Sequence, residues 1–390
     1  MIPYSRQDVN QADIDAVIEV LRSDFLTQGP AVLAFEQAIA KYCGAQFAVA
    51  VNSATSALHI ACQALGVRKG DIVWTTPITF VASANCALYC GATVDLVDID
   101  PRTFNLNTDL LAEKLARAEK SGTLPKVVIP VHLCGQSCDM KRIHALGKQY
   151  GFKIIEDGSH AIGGKYKGEP IGNCRYSNIT VFSFHPVKII TTGEGGMAIT
   201  NDAELANKMA MLRSHGITRD PAQMTKAADG AWYYQQLELG YNYRMTDLYA
   251  ALGLSQLKRL DTFVTRRHEL ASYYDVLFQN LPFMIPQRDA DAYSSFHLYV
   301  VRVKGHNIRQ TRAEVFERLR TNGIMANIHY IPIYHHPFYA KLGFKAENFP
   351  EAEKYYDGAI SIPLYPELTN EQQRQIVHLM EAPIGHQTIF

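Results

Sequence analysis

The chain lacks any long apolar run and any excess of charge of one sign. No stretch approaches the roughly 18 consecutive apolar residues that a membrane-crossing helix needs. The opening residues, Met1-Ile2-Pro3-Tyr4-Ser5-Arg6-Gln7-Asp8, have neither the basic start nor the apolar run of a secretory leader. Lys plus Arg and Asp plus Glu both number 38, and no basic cluster is interleaved with aromatic residues. The electrostatic footprint of a nucleic-acid partner is missing, and so is the hydropathy of a membrane partner. Cysteine is sparse too. The seven are odd in number and scattered, and the close pairs Cys86/Cys90 and Cys134/Cys138 have no second pair at zinc-ribbon spacing. Such thiols act as small hydrophobes, so neither a disulfide framework nor a metal centre is expected. These absences point to a soluble, cytoplasmic protein that handles small molecules.

What the chain does contain is alternation. At 390 residues it exceeds one ordinary domain. Asn10 with Asp13 reads as the start of an amphipathic helix carrying Ile14, Val17, Ile18 and Leu21 on one face. From Phe47 onward, short apolar runs alternate with helical stretches, at 47–51, 72–74, 93–97, 127–131, 153–156, 179–182 and 197–200. That alternation predicts an α/β fold with a mostly parallel central sheet covered by helices. After Arg244 a long helical pattern runs through Leu248, Leu252, Leu257 and Leu260 toward Arg267. It carries the chain from a large domain, 1–261, into a smaller C-terminal α+β domain, 262–390. The second domain is expected to hold a strand at 296–303, a helix at 312–322 and a terminal helix near 371–380.

In an open sheet of this kind ligands gather at the carboxyl ends of the strands, and the suggestive residues fall there. The 179–183 run is apolar enough for a buried strand; Pro186 ends it and leaves Lys188 just beyond the sheet, ahead of Thr191-Thr192-Gly193-Glu194-Gly195-Gly196. A lysine so placed is either a solvated surface group or, in a dry pocket, a neutral amine able to attack a carbonyl. Asn52-Ser53-Ala54-Thr55-Ser56 follows a strand and opens a helix, so its N–H groups and hydroxyls either cap that helix or cradle an anion. Neither this turn nor 193–196 spells the dinucleotide fingerprint. Phe80 is either core or a flat face for a ring. Glu156 and Asp157 end a strand with side chains on opposite faces, so only one can look into a site, and His160 lies one turn further on.

Taken in order, these segments resemble those of the DegT/DnrJ/EryC1/StrS-type aminotransferases, pyridoxal-phosphate enzymes of nucleotide-linked sugars with the aspartate-aminotransferase (fold type I) architecture. The likeness runs almost end to end, through Leu26-Thr27-Gln28-Gly29, Asn52 to His59, Thr76 to Ala82, Glu156 to Ala161, Ser183 to Lys188, Arg213-Ser214-His215-Gly216 and Gly240 to Met245. The resemblance implies pyridoxal 5'-phosphate as cofactor, Lys188 as the lysine that holds it covalently, and Asp157 as the partner of its pyridinium nitrogen. It further implies Phe80 on the ring face, with Thr55, Ser56 and Ser183 around the phosphate. Asn242 would reach that phosphate from the second subunit of a homodimer, and Gln136 and His160 would stand close behind. The family usually has alanine or an acid where this chain has Gly158-Ser159, which leaves the Asp157 assignment in place. Relatives with histidine at the lysine position remove oxygen from sugars, so Lys188 favours transamination. The finer likeness is to the pseudaminic acid branch, because Tyr4, Asp24-Phe25-Leu26-Thr27, Ala54 and Asn327-Ile328-His329-Tyr330 match segments that line the sugar-nucleotide site. It implies a UDP-linked 2-acetamido-2,6-dideoxy-4-keto-L-sugar as amino acceptor and L-glutamate as donor. Another nucleotide-linked 4-keto sugar, or a cofactor-binding protein without catalysis, are the alternatives.

Overall fold

The computed structural model describes residues 1–381; the end of the expected second domain, 382–390, lies outside the described residues. Seven strands form the central sheet in the spatial order Phe47–Val51, Gly196–Thr200, Ile179–Ser183, Lys153–Asp157, Val127–Val128, Ile72–Thr75, Thr93–Leu96. Only Gly196–Thr200 runs against its neighbours, and the remaining pairings are parallel, as the alternation predicts. The strands Ile179–Ser183 and Gly196–Thr200 are buried at every position, which requires apolar residues on both faces rather than on alternate ones. Helices Ala54–Ala64 and Ala82–Tyr89 cover one face. Pro30–Cys43, Thr108–Ser121 and Met140–Tyr150 cover the other. Side-chain caps start these helices at Ser53, Asn107 and Asp139, and left-handed glycines stop them at Gly44, Gly122 and Gly151.

Specific contacts account for the largest departures from the expected boundaries. The 127–131 strand stops at Val128, since Pro130 has no N–H to give a ladder; Val131 returns to pair with Asp157 as a single bridge. The long helical pattern after Arg244 is two helices, Asp247–Leu257 and Leu260–Leu277. They part at Lys258 and Arg259, and the Arg259 guanidinium turns to Asp8 and Asp13 at 2.6 and 2.5 Å. The 296–303 strand begins only at Tyr299, because Phe296 takes a positive φ of 48° and the Phe296 and His297 carbonyls accept hydrogen bonds from buried Arg267 instead. In the N-terminal helix, Gln11–Arg22, the buried residue is Asp13, whereas Ile14 and Leu21 of the apolar face are exposed on this chain.

The C-terminal part has its own core. Strands Phe283–Met284, Tyr299–Val303 and Ala359–Ile362 form an antiparallel sheet. Leu270, Tyr274, Phe278, Tyr299, Leu319 and Ile376 pack together in its core. Ile2 joins that core, and Ile2–Pro3 pairs in parallel with Ile324–Met325, so the first residues of the chain belong by packing to the C-terminal part. This carries Tyr4 to the junction of the two parts. Within the large part, Gly196 allows a close approach: a Cβ there would lie 2.4 Å from the Ser53 carbonyl carbon, so only glycine lets the strand pass against the 52–56 turn. All seven cysteines are free. Among the described residues, no helix is long and apolar enough to cross a membrane and no His/Cys/Asp/Glu cluster could hold a metal ion.

Candidate active site

A cavity of about 920 Å³ opens at the carboxyl ends of the parallel strands, where the C-terminal part folds over the sheet. Lys188 and Asp157 both line it. The lysine follows the Ile179–Ser183 strand on a turn closed by its own N–H to the His185 carbonyl at 2.9 Å. Burial in the cavity wall lowers the ammonium's pKa to about 8, while the Asp157 carboxylate pulls it the other way. Asp157 is the last residue of its strand and is itself buried. Ser83 Oγ donates to its Oδ2 at 2.6 Å, and the Ser159 N–H to its Oδ1 at 3.1 Å. Glu156 points to the opposite face, as strand alternation requires, and accepts from Ser177 and Thr180 there.

The 52–56 turn divides its labour. The Ser56 hydroxyl is buried and donates to Asn52 Oδ1 at 2.6 Å, and the Ser56 N–H is taken by Ser53 Oγ. Thr55 and Ala54 instead line the cavity, and among the described residues their N–H groups, at the start of the Ala54–Ala64 helix, have no partner. Free N–H groups at a helix start favour an anion. Ser183 lies at the adjacent strand end. Phe80 is 58 % exposed on the cavity wall rather than in the core, its ring centroid 6.1 Å from that of Tyr330. A flat ring with a ring nitrogen, an aldehyde and a phosphate matches this donor set: a stacking face, a carboxylate, a lysine and an anion cradle.

Most of the expected residues come together. Tyr4, Ala54, Thr55, Phe80, Asp157, His160, Ser183, Lys188, Asn327, Ile328, His329 and Tyr330 all line the one cavity. Four groups do not. Gln136 is buried elsewhere, its Oε1 accepting from the Asp289 N–H at 3.1 Å; it faces away because the 133–135 turn redirects the chain before it. Ser56 is turned inward, as described above. Asn242 is exposed and engages Ser214 by a backbone bridge. Asp24, Phe25, Leu26 and Thr27 are exposed on the surface outside the cavity, with Thr27 bridged to Thr246. Residues that sequence reasoning missed include Ser83, Glu194, His185, His297 and His336. Ser83 stands one residue into the helix after Phe80 and was open to discovery as a hydroxyl on that first turn; His297 carries no local signal.

The fold and this cavity define a pyridoxal-phosphate-dependent aminotransferase of fold type I. The chain belongs to the DegT/DnrJ/EryC1/StrS aminotransferase family, whose model matches residues 7–381. It is 40% identical over 371 residues to the UDP-4-amino-4,6-dideoxy-N-acetyl-beta-L-altrosamine transaminase of Campylobacter jejuni, covering 94% of this chain and 93% of that one. It is similar to solved Helicobacter pylori PseC, an aminotransferase involved in the biosynthesis of pseudoaminic acid, at TM-score 0.89 and 32% identity over 97% of this chain and 98% of that one. Streptococcus pneumoniae Spr1654, solved in its PLP-form, matches at TM-score 0.88 and 32% identity over 97% of this chain and 97% of that one. Pyridoxal phosphate supplies an aldehyde for a lysine amine and a ring that, once protonated, draws electrons from the carbon bearing the amino group.

Proposed function

We propose that this protein moves the amino group of L-glutamate, through pyridoxal phosphate, to C4 of UDP-2-acetamido-2,6-dideoxy-β-L-arabino-hex-4-ulose, giving UDP-4-amino-4,6-dideoxy-N-acetyl-β-L-altrosamine. The observation that carries the reading is the partly neutral Lys188 amine beside the buried Asp157 in one cavity. The name of the Campylobacter relative, at 40% identity, supports the sugar. Lys188 would hold the cofactor and, once displaced, its free amine would serve as the acid and base that moves a proton at the substrate carbon. Asp157, fixed by Ser83 and Ser159, keeps the ring nitrogen protonated. Thr55, the Ala54–Thr55 N–H groups and Ser183 take the phosphate, and Phe80 covers the ring.

The protein with glutamate and a panel of UDP-linked 4-keto sugars tests this directly. The L-arabino ketone should be aminated in preference to D-configured hexoses and to pentoses. Amination of another sugar with no turnover of the L-arabino ketone would remove the pseudaminic assignment.

Cofactor capture should follow the lysine's titration. Only the neutral amine attacks the aldehyde, so the rate at which the apoprotein takes up pyridoxal phosphate should rise about tenfold per pH unit below the lysine's pKa and level off above it. With that pKa at about 8, the bend should lie near there; a flat profile between pH 6 and pH 9, followed by absorbance, would contradict the assignment.

A homodimer completes the proposal. Ile14, Leu21, Phe25, Leu26 and Leu33 are all exposed on this chain, an apolar surface that a second copy would cover. In that assembly Asn242 meets the partner's phosphate site, and the 24–27 segment approaches the partner's sugar. Sedimentation at micromolar concentration should return twice the chain mass; a monomer would contradict it.

A further inference from the structure

We propose that Cys90 is a modification site: a reactive thiol at the end of one helix that hydroperoxides oxidise and that Cys62 of the neighbouring helix then captures as a disulfide. It departs from the inert packing expected of the chain's thiols, and neither cysteine lines the cavity.

Two packed helices build the site. Ala54–Ala64 carries His59 and Cys62, three residues apart and therefore on one face. Ala82–Tyr89 carries Cys86, and its C-cap residue Cys90 follows four positions later on the same side. The two faces meet in one core, with the ring centroids of His59 and Tyr89 5.4 Å apart. Cys62 lies within reach of both Cys86 and Cys90, and His59 within reach of Cys90. All three thiols are free.

Their accessibilities assign the roles. Cys62 and Cys86 are wholly buried, whereas Cys90 is only partly so, between exposed Tyr89 and Gly91. A solute meets Cys90 first. Cys86 is already engaged, its Sγ donating to the Ser83 carbonyl at 3.4 Å, which leaves Cys62 to answer Cys90. The electrostatics agree. The hydrogen bond offered by Cys62 lowers the pKa of Cys90, burial opposes that, and His59 lowers it further. Cys62 itself is pushed well above the ordinary thiol range by its hydrogen bonds to Cys86 and Cys90 and by burial. His59 Nδ1 faces Tyr243 Oη at 3.1 Å, and its buried Nε2 has no other partner among the described residues. Cys90 is thus the thiolate of the pair, and the thiolate is the nucleophile.

The chemistry needs only a hydroperoxide. The Cys90 thiolate attacks one peroxide oxygen; the S–O bond forms, the O–O bond breaks and hydroxide leaves. The Cys62 sulfur then attacks the sulfenic sulfur; the S–S bond forms, the S–O bond breaks and water leaves with the Cys62 proton. The thiol pair loses two electrons and the peroxide gains them.

Holoenzyme treated with hydrogen peroxide, digested without reductant and mapped by mass spectrometry tests this. A peptide pair joined through Cys62 and Cys90 should appear, and a reductant should part it. In Cys62→Ala the product should be a sulfenic acid on Cys90, trapped by dimedone, and in Cys90→Ser neither species should form. Cys86→Ala should leave the joined pair in place. Before oxidation, iodoacetamide at neutral pH should alkylate Cys90 about tenfold faster than any other cysteine of the folded protein. The mapping and the alkylation rates both come from wild-type protein, so the outcome does not depend on a variant's folding. Oxidation falling first on another cysteine, a Cys90 no faster than the rest, or a Cys90 that stays unlinked in the presence of Cys62 would overturn the proposal.

Discussion

Lys188→Ala should abolish turnover, by about four to six orders of magnitude, and remove the visible absorption of the bound cofactor at the same time. The two losses belong together, because the account gives one amine two tasks: it anchors the cofactor and it moves the proton. Lys188→Arg should fare no better, since a guanidinium keeps the charge but stays protonated and cannot attack a carbonyl. The apoprotein should remain folded. Among the described residues the Lys188 amine has no hydrogen-bond partner, and burial already disfavours its charge, so thermal unfolding of the apoprotein should move by only a few degrees. A cavity that binds pyridoxal phosphate noncovalently yet does no chemistry is the expected phenotype. Retained turnover in Lys188→Ala would refute the mechanism.

Asp157→Asn should lower turnover by about a hundred- to a thousandfold while leaving the cofactor attached through Lys188. The amide is nearly isosteric, so packing changes little; what disappears is the negative charge that favours a protonated ring nitrogen. The carboxylate is buried and held in place by hydrogen bonds donated by Ser83 Oγ and the Ser159 N–H. Asp157→Glu should retain more activity than Asp157→Asn, as charge survives at the expense of placement. Kinetics of both half-reactions check this, and both should slow together because both pass through the same ring. An Asp157→Asn protein with wild-type kcat would mean that the ring nitrogen takes its proton from elsewhere.

The parts of the site that were legible in the sequence share one physical property. Lys188, Asp157, Ser183 and the 52–56 turn all stand where a buried apolar run gives way to a polar or proline-marked turn, and such transitions mark strand ends. Sheet direction was legible for a related reason, because strands buried on both faces carry unbroken apolar runs. Residues whose position depends on how the chain returns were not legible. His297 reaches the cavity because Arg267 holds its carbonyl and that of Phe296 away from the strand ladder, a tertiary contact with no local pattern. Gln136 looked suitable beside His132 and Cys134, but the 3₁₀ turn at Leu133–Gly135 aims it at Asp289. The long helical periodicity after Arg244 could not reveal the break at Lys258 and Arg259, which follows from ion pairs to the distant Asp8 and Asp13. The exposed 24–27 segment and Asn242 are placed by one chain outside the cavity it forms, where no local pattern in the sequence could have set them.

The central claim is that Lys188 carries the cofactor, and reductive trapping tests it most directly. Holoprotein treated with borohydride, digested and mapped by mass spectrometry should carry the pyridoxyl group on the peptide containing Lys188 and on no other lysine, and prior incubation with L-glutamate should prevent the labelling. Label on a different lysine, or label indifferent to glutamate, would contradict the account.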